Sequence, residues 1–135
     1  MRISTKTQYG LRAMTYLAQS RDICSIATIA REEGIPAEFL EKIVQDLKKA
    51  GLVTARRGAH GGYKLARNPK KITAGEILHT LEKSVENVVC IDQGNHCCPH
   101  AKKCRAKDVW QKLRSSIDET LSSVTLSDLI KDSTH

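Results

Sequence analysis

Leu52-Val53-Thr54-Ala55-Arg56-Arg57-Gly58-Ala59-His60-Gly61-Gly62-Tyr63-Lys64-Leu65 is the stretch on which the fold turns. Leu52-Val53-Thr54 reads as one short strand and Tyr63-Lys64-Leu65 as a second, since β-branched and aromatic residues fit a pleated surface. Between them three glycines permit a sharp, closely approaching hairpin, and Arg56 and Arg57 set two fixed positive charges beside it. A hairpin of this kind is a wing. Its arginines can lie over a phosphate or enter a narrow, electronegative minor groove. A solvated β-turn with incidental charge is the plain alternative, and the residues upstream argue against it.

Upstream, Thr5 and Gln8 have capping-box spacing, and Tyr9, Ala13, Tyr16 and Leu17 recur with helical period, so a helix is expected over about residues 6–19. Ser25 caps a short second helix carrying Ile26, Ile29 and Ala30, and Gly34 ends it. Pro36 suits a first helical turn, where its missing N–H has no partner to lose. The next helix, about residues 37–50, places Leu40, Ile43, Val44 and Leu47 on one side, with Glu38, Lys42, Gln45, Lys48 and Lys49 on the other. Gly51 is its stop. Two short helices around Gly34-Ile35-Pro36 form a helix-turn-helix, whose second helix enters a major groove. With the hairpin behind it, the expectation is a winged helix-turn-helix for duplex DNA. Lys42, Gln45, Lys48, Lys49, Arg56, Arg57, His60 and Tyr63 are the candidate contacts.

Downstream, Asn68-Pro69 closes the module. Thr73 and Glu76 form another capping box, ahead of a helix with Ile77, Leu78 and Leu81 on its apolar side. From about residue 106 a long helix carries Val109, Leu113, Ile117 and Leu121 at four-residue intervals, with Trp110 beside them. Thr125 and Asp128 can start a last short helix. The expected fold is therefore mainly α with a small β-hairpin wing, a winged helix-turn-helix followed by a long C-terminal dimerisation helix. Residues 1–71 are read as the DNA-binding domain and residues 72–135 as a cysteine-loop sensor and dimerisation region. The two parts differ in charge. Residues 1–71 hold 14 Lys/Arg against 6 Asp/Glu, whereas residues 72–135 hold 8 against 9. A basic first part suits a polyanion.

A chain of 135 residues has little with which to cover both faces of the long helix. The stripe Val109, Leu113, Ile117, Leu121 is thus expected to pack on a symmetry mate, and the homodimer to match a palindromic site. No apolar run approaches the roughly 20 residues needed to cross a bilayer. The opening residues lack the apolar core of a signal peptide, so a cytoplasmic protein without membrane contact is expected. His60, His79, His96, His100 and His135 stand near no recognisable nucleophile or carboxylate pair, and an enzyme is not expected.

Four of the five cysteines fall within residues 90–104, as Cys90, Cys97, Cys98 and Cys104. In a reducing compartment such clustering points to metal or redox chemistry. Thiolates are strong ligands for zinc and for iron–sulfur clusters. Five residues lie between Cys98 and Cys104, a wider spacing than in most zinc knuckles, which favours a polynuclear cluster. Zinc completed by His96 or His100 stays open, as does a metal-free disulfide switch. Cys24, between Ile23 and Ile26, reads as a small buried hydrophobe. A zinc-stabilised structural or protein-interaction module is the alternative to a DNA-binding regulator.

Met1-Arg2-Ile3-Ser4 with Tyr9-Gly10-Leu11-Arg12-Ala13, the run 43–53, and above all Arg57-Gly58-Ala59-His60-Gly61-Gly62-Tyr63-Lys64-Leu65-Ala66-Arg67 carry a resemblance. With Cys90, Cys98-Pro99, Cys104 and Trp110, they resemble the bacterial iron–sulfur-cluster-regulator and nitric-oxide-sensing repressor family, the IscR/NsrR-type winged-helix regulators, over essentially the whole chain. The resemblance implies a dimeric transcriptional regulator, a repressor first of all, responding to cluster status, nitric oxide or redox state. It implies Cys90, Cys98 and Cys104 as the thiolate ligands of a two-iron or four-iron cluster. Cys97, His96 and His100 are possible additional ligands. The sequence departs from the family at the fourth ligand: Lys107 stands where some members have histidine, and Gln8 where others have a carboxylate. Cluster-free members also exist, including a regulator of cysteine metabolism.

Overall fold

The computed structural model describes residues 3–20, 22–82 and 105–132. Helix α1 (Thr5–Ser20) leads into α2 (Ile26–Glu33) and α3 (Ala37–Lys49). A hairpin of β1 (Val53–Arg56) and β2 (Gly62–Leu65) follows, then a 3-10 turn, Pro69–Lys71. After it come α4 (Ala74–Leu81), α5 (Lys107–Ser123) and α6 (Leu126–Asp132). Mainly helical with one two-stranded antiparallel hairpin, this is a winged helix-turn-helix joined to a long helix, as the patterning leads one to expect.

The core lies where α1, α2, α3 and α4 meet. Met14, Ile29, Leu40, Ile43, Val44 and Leu47 are fully enclosed, and Leu52, Val53, Ile72, Ile77 and Leu126 join them. The helical period of Leu40, Ile43, Val44 and Leu47 therefore does what an amphipathic stripe must, turning one face of α3 inward and leaving the opposite face to solvent. Apolar burial holds this head together; exposed ion pairs such as Arg31–Glu32 contribute about 0–1 kcal/mol each. The core is continuous across residue 71, because Ile72, Ile77, Leu81 and Leu126 pack into the same cluster as α1 and α3.

Helix ends follow local chemistry. The Ser25 hydroxyl accepts from Thr28 N–H at 3.1 Å, and Gly34 closes α2 in the left-handed region at φ 65°. Thr73 and Glu76 form the reciprocal box expected of them, and Thr125 and Asp128 do the same at 3.0 and 3.2 Å. Hydrogen bonds from Thr125 hold the Asp128 carboxyl below its ordinary range.

Three expectations need correction. Ser4, not Thr5, caps α1: its Oγ accepts from Thr7 N–H at 3.2 Å, while Gln8 reaches back to the Ile3 carbonyl. The chain enters the helix one residue earlier than the apolar pattern suggests. Pro36 is the residue before α3 rather than in its first turn. β1 extends through Arg56, with Val53 opposite Leu65, Thr54 opposite Lys64, Ala55 opposite Tyr63 and Arg56 opposite Gly62. Leu52 instead sits buried in the turn after α3, its N–H bonded to the Leu47 carbonyl.

One carboxylate ties α4 to the start of the chain. Glu82 Oε2 accepts from Ser4 N–H at 3.0 Å, from Ser4 Oγ at 2.9 Å and from Thr7 Oγ1 at 2.6 Å. The Thr7 hydroxyl, then the Ser4 backbone, hold this carboxyl below the usual glutamate range. A depressed folded-state pKa adds stability that is fully present above the unfolded-state pKa and is lost as pH falls through the lower folded value. The difference in urea midpoint between the wild type and Glu82→Gln should accordingly be greatest above about pH 5 and vanish well below pH 4. A difference that stays constant across that window would show the three hydrogen bonds do not favour the charged form.

Candidate nucleic-acid interface

The outward face of α3 and the wing lie side by side. The buried positions Leu40, Ile43, Val44 and Leu47 force Lys42, Gln45, Lys48 and Lys49 onto the solvent side, and all four are exposed. In the wing, Arg56, Arg57 and His60 are exposed and Tyr63 is half-buried. Gln45 Nε2–H donates to the Tyr63 hydroxyl at 3.4 Å, so helix and wing touch at two of the expected contact residues. All eight candidates thus fall on α3 and the hairpin, with Tyr63 and Gln45 at the junction.

The wing is fastened from below by the segment joining α1 and α2. Cys24 N–H donates to the Tyr63 carbonyl at 2.9 Å, and Tyr63 N–H donates to the Cys24 carbonyl at 2.8 Å. Cys24 is buried, and its thiol lies 2.9 Å from Ser20 Oγ. It is therefore a buried residue, as expected, and also a one-residue third strand of the wing sheet. A single bridge leaves no periodicity to find.

The three wing glycines have different reasons. Gly58 alone has a left-handed backbone, at φ 119°. Gly61 is needed for space, since a β-carbon there would overlap the Arg56 carbonyl oxygen. At Gly62 a β-carbon would overlap the Cys24 carbonyl and sit 2.9 Å from Ser25 N. Gly62 thus permits the backbone exchange that anchors the wing.

Several cations elsewhere in the head are paired. Lys6 pairs with Asp46 at 2.7 Å, Arg12 with Glu33 at 3.6 Å and Arg67 with Glu76 at 2.5 Å. The Arg67 hydrogen bond holds the Glu76 carboxyl below its ordinary range. By contrast, Lys42, Lys48, Lys49, Arg56 and Arg57 form no ion pair with any other described residue. Cations without intramolecular partners keep a counterion atmosphere that a phosphate backbone can displace.

The α5 stripe is graded. Val109 is 59% and Leu113 37% exposed, whereas Ile117 and Leu121 are half-buried. Leu121 packs on Gly75 of α4, where a β-carbon would lie 3.2 Å from Leu121 Cβ. Cys90, His96, Cys97, Cys98, His100 and Cys104 lie outside the described residues. Among the described residues no group of three or more His, Cys, Asp or Glu side chains is placed to hold a metal. No described helix is long and apolar enough to cross a membrane.

A helix-turn-helix whose recognition helix and basic hairpin share one unpaired cationic face defines a winged-helix DNA-binding protein. A family model described as Rrf2, iron-dependent transcriptional regulator, matches residues 3–132. Protein rrf2 of Nitratidesulfovibrio vulgaris is 36% identical over 134 residues, covering 98% of this chain and 89% of that one. Among solved structures, CymR, the global cysteine regulator of B. subtilis, superposes with a TM-score of 0.83 at 36% identity, covering 98% of both chains. T. potens IscR superposes with a TM-score of 0.78 at 39% identity, covering 98% of this chain and 88% of that one. The chain belongs to the Rrf2 family: it is a DNA-binding transcriptional regulator, not an enzyme.

Replacing Gly62 with alanine should break the Cys24–Tyr63 exchange while leaving the core intact. Amide exchange at Cys24 and Tyr63 should rise by at least about tenfold, with Ile43 and Leu47 still slow. Unchanged protection at Tyr63 would show that the wing does not depend on this close approach.

Proposed function

We propose that this chain regulates promoters as a homodimer on palindromic duplex DNA, repressing in the first instance, and that cysteines between residues 90 and 104 control its binding. Residues 1–71 are the DNA-binding part and residues 72–135 the sensing and dimerising part. The observation that carries the reading is the unpaired cationic face of α3 and the wing. Gln45, beside Tyr63, is assigned to base edges. Lys42, Lys48 and Lys49 go to phosphates, and Arg56, Arg57 and His60 to the backbone or minor groove beside the wing. The exposed Val109 and Leu113 on α5, with Ile117 and Leu121 behind them, are assigned to the partner protomer. A two-fold dimer then presents two heads to half-sites about one or two helical turns apart.

Cys90, Cys98 and Cys104 form a sulfur-rich donor set, with Cys97, His96 and His100 close by in sequence. Its chemistry fits an iron–sulfur cluster, with zinc as the harder alternative. When bound, a cluster supplies a crosslink among thiolates that oxidants remove. The family description as iron-dependent supports this reading. A cluster-free thiol switch is the second reading, and the likeness to CymR, a global cysteine regulator, favours it.

Anaerobic reconstitution with ferrous iron and sulfide, followed by binding to a duplex selected from a random pool, tests the proposal. The expected result is a brown protein with stoichiometric iron and sulfide, and a Kd changed by about tenfold or more from the cluster-free form. A colourless protein holding zinc would overturn the cluster. Identical affinity in all thiol and metal states would overturn cysteine control.

A further inference from the structure

We infer that Glu82 is a positioning residue for DNA recognition: its carboxylate locks the end of α4 to the first turn of α1, and through it to the recognition helix α3. The inference rests on the proposal that cysteines 90–104 control binding, and names the route by which their state reaches the head.

Three observations converge on this corner of the molecule. First, the Glu82 hydrogen bonds join residues 75 and 78 positions apart in sequence, and all three fall on one oxygen. Neither helix end requires them. Ser4 Oγ already caps α1 by accepting from Thr7 N–H, and the Glu82 backbone N–H already closes α4 on the Leu78 carbonyl at 2.7 Å. What the carboxylate adds is a tie between the two elements, at the positive end of the α1 dipole.

Second, Leu81 fills a notch made by the absence of a side chain at Gly10. A β-carbon there would overlap Leu81 Cδ1 and lie 3.3 Å from Ile43 Cγ2. The last turn of α4 therefore rests on α1 and on the middle of α3 together. Close-packed side chains transmit displacement because there is no free volume to absorb it. Third, Lys6 in the first turn of α1 pairs with Asp46 of α3, the residue next to Gln45. A rotation or pull at residue 82 must move α1 with α3 or break the hydrogen bonds on Oε2. The chain continues from Glu82 to Cys90 in eight residues, which makes this carboxylate the last described side chain of the head before the cysteines.

A double-mutant cycle on the full chain tests the route. Wild type and Glu82→Gln are each compared with the same protein carrying Cys90→Ser, Cys98→Ser and Cys104→Ser, after anaerobic reconstitution. The probe is a duplex selected by the wild type from a random pool. In the wild-type background the cysteine substitutions should shift Kd by about tenfold or more; in the E82Q background the shift should shrink below about threefold. A purely structural role for Glu82 would change all affinities alike and leave the shift intact, and that result overturns the inference. If the wild type itself shows no shift, cysteine control fails first and the route fails with it. Should E82Q not fold by thermal melting, Ser4→Ala, which removes the hydroxyl donor from the other side of the contact, decides the matter by the same shrinkage or its absence.

Discussion

The backbone exchange between Cys24 and Tyr63 is the contact on which the candidate interface depends. A two-stranded hairpin is marginal in water and has no reason to hold a fixed angle to a neighbouring helix. Two hydrogen bonds to Cys24, closer than any side chain at position 62 would allow, attach it to the segment joining α1 and α2. The wing is then fixed to the same body that carries α3, and Tyr63 reaches Gln45. Preorganisation of this kind matters because ordering a loop on binding subtracts from the affinity its contacts supply.

Charge on this body is arranged by pairing rather than by abundance. Lysines and arginines at Lys6, Arg12 and Arg67 are neutralised within the head, each by a carboxylate on another element. Those on the solvent face of α3 and on the wing are not. A screened surface pair contributes little to stability, but an unpaired cation beside a phosphate contributes through counterion release. The pairing pattern therefore leaves the α3 and wing cations available to a polyanion, along with Lys70 and Lys71 of the 3-10 turn. The face that helix periodicity and the glycine-rich hairpin indicate is among the surfaces left unpaired.

Much of the fold is legible in the sequence because its signals are local. The α3 stripe, the stops at Gly34 and Gly51, and the boxes at Thr73–Glu76 and Thr125–Asp128 all act within one or two helical turns. What escapes is long-range. Cys24 as a strand, Gly62 as a space for its carbonyl, and Glu82 as a partner of Ser4 and Thr7 are contacts between elements far apart in the chain. The three wing glycines look equivalent in sequence as hinges. In the structure only Gly58 needs its backbone freedom, and Gly61 and Gly62 need their missing side chains. The outward face of α3 is legible because burial of Leu40, Ile43, Val44 and Leu47 forces Lys42, Gln45, Lys48 and Lys49 to solvent. The proposed cysteine control and the proposed packing of two α5 helices would involve residues 90–104 and a second chain, which local pattern does not reach.

The central claim is that one rigid surface, made of α3 and the wing anchored by Cys24, meets duplex DNA. Amide hydrogen exchange of the full chain, with and without a duplex selected from a random pool, measures this directly. Protection on binding should concentrate over residues 42–49 and 56–63. A duplex that binds tightly while leaving both stretches unprotected would contradict the account.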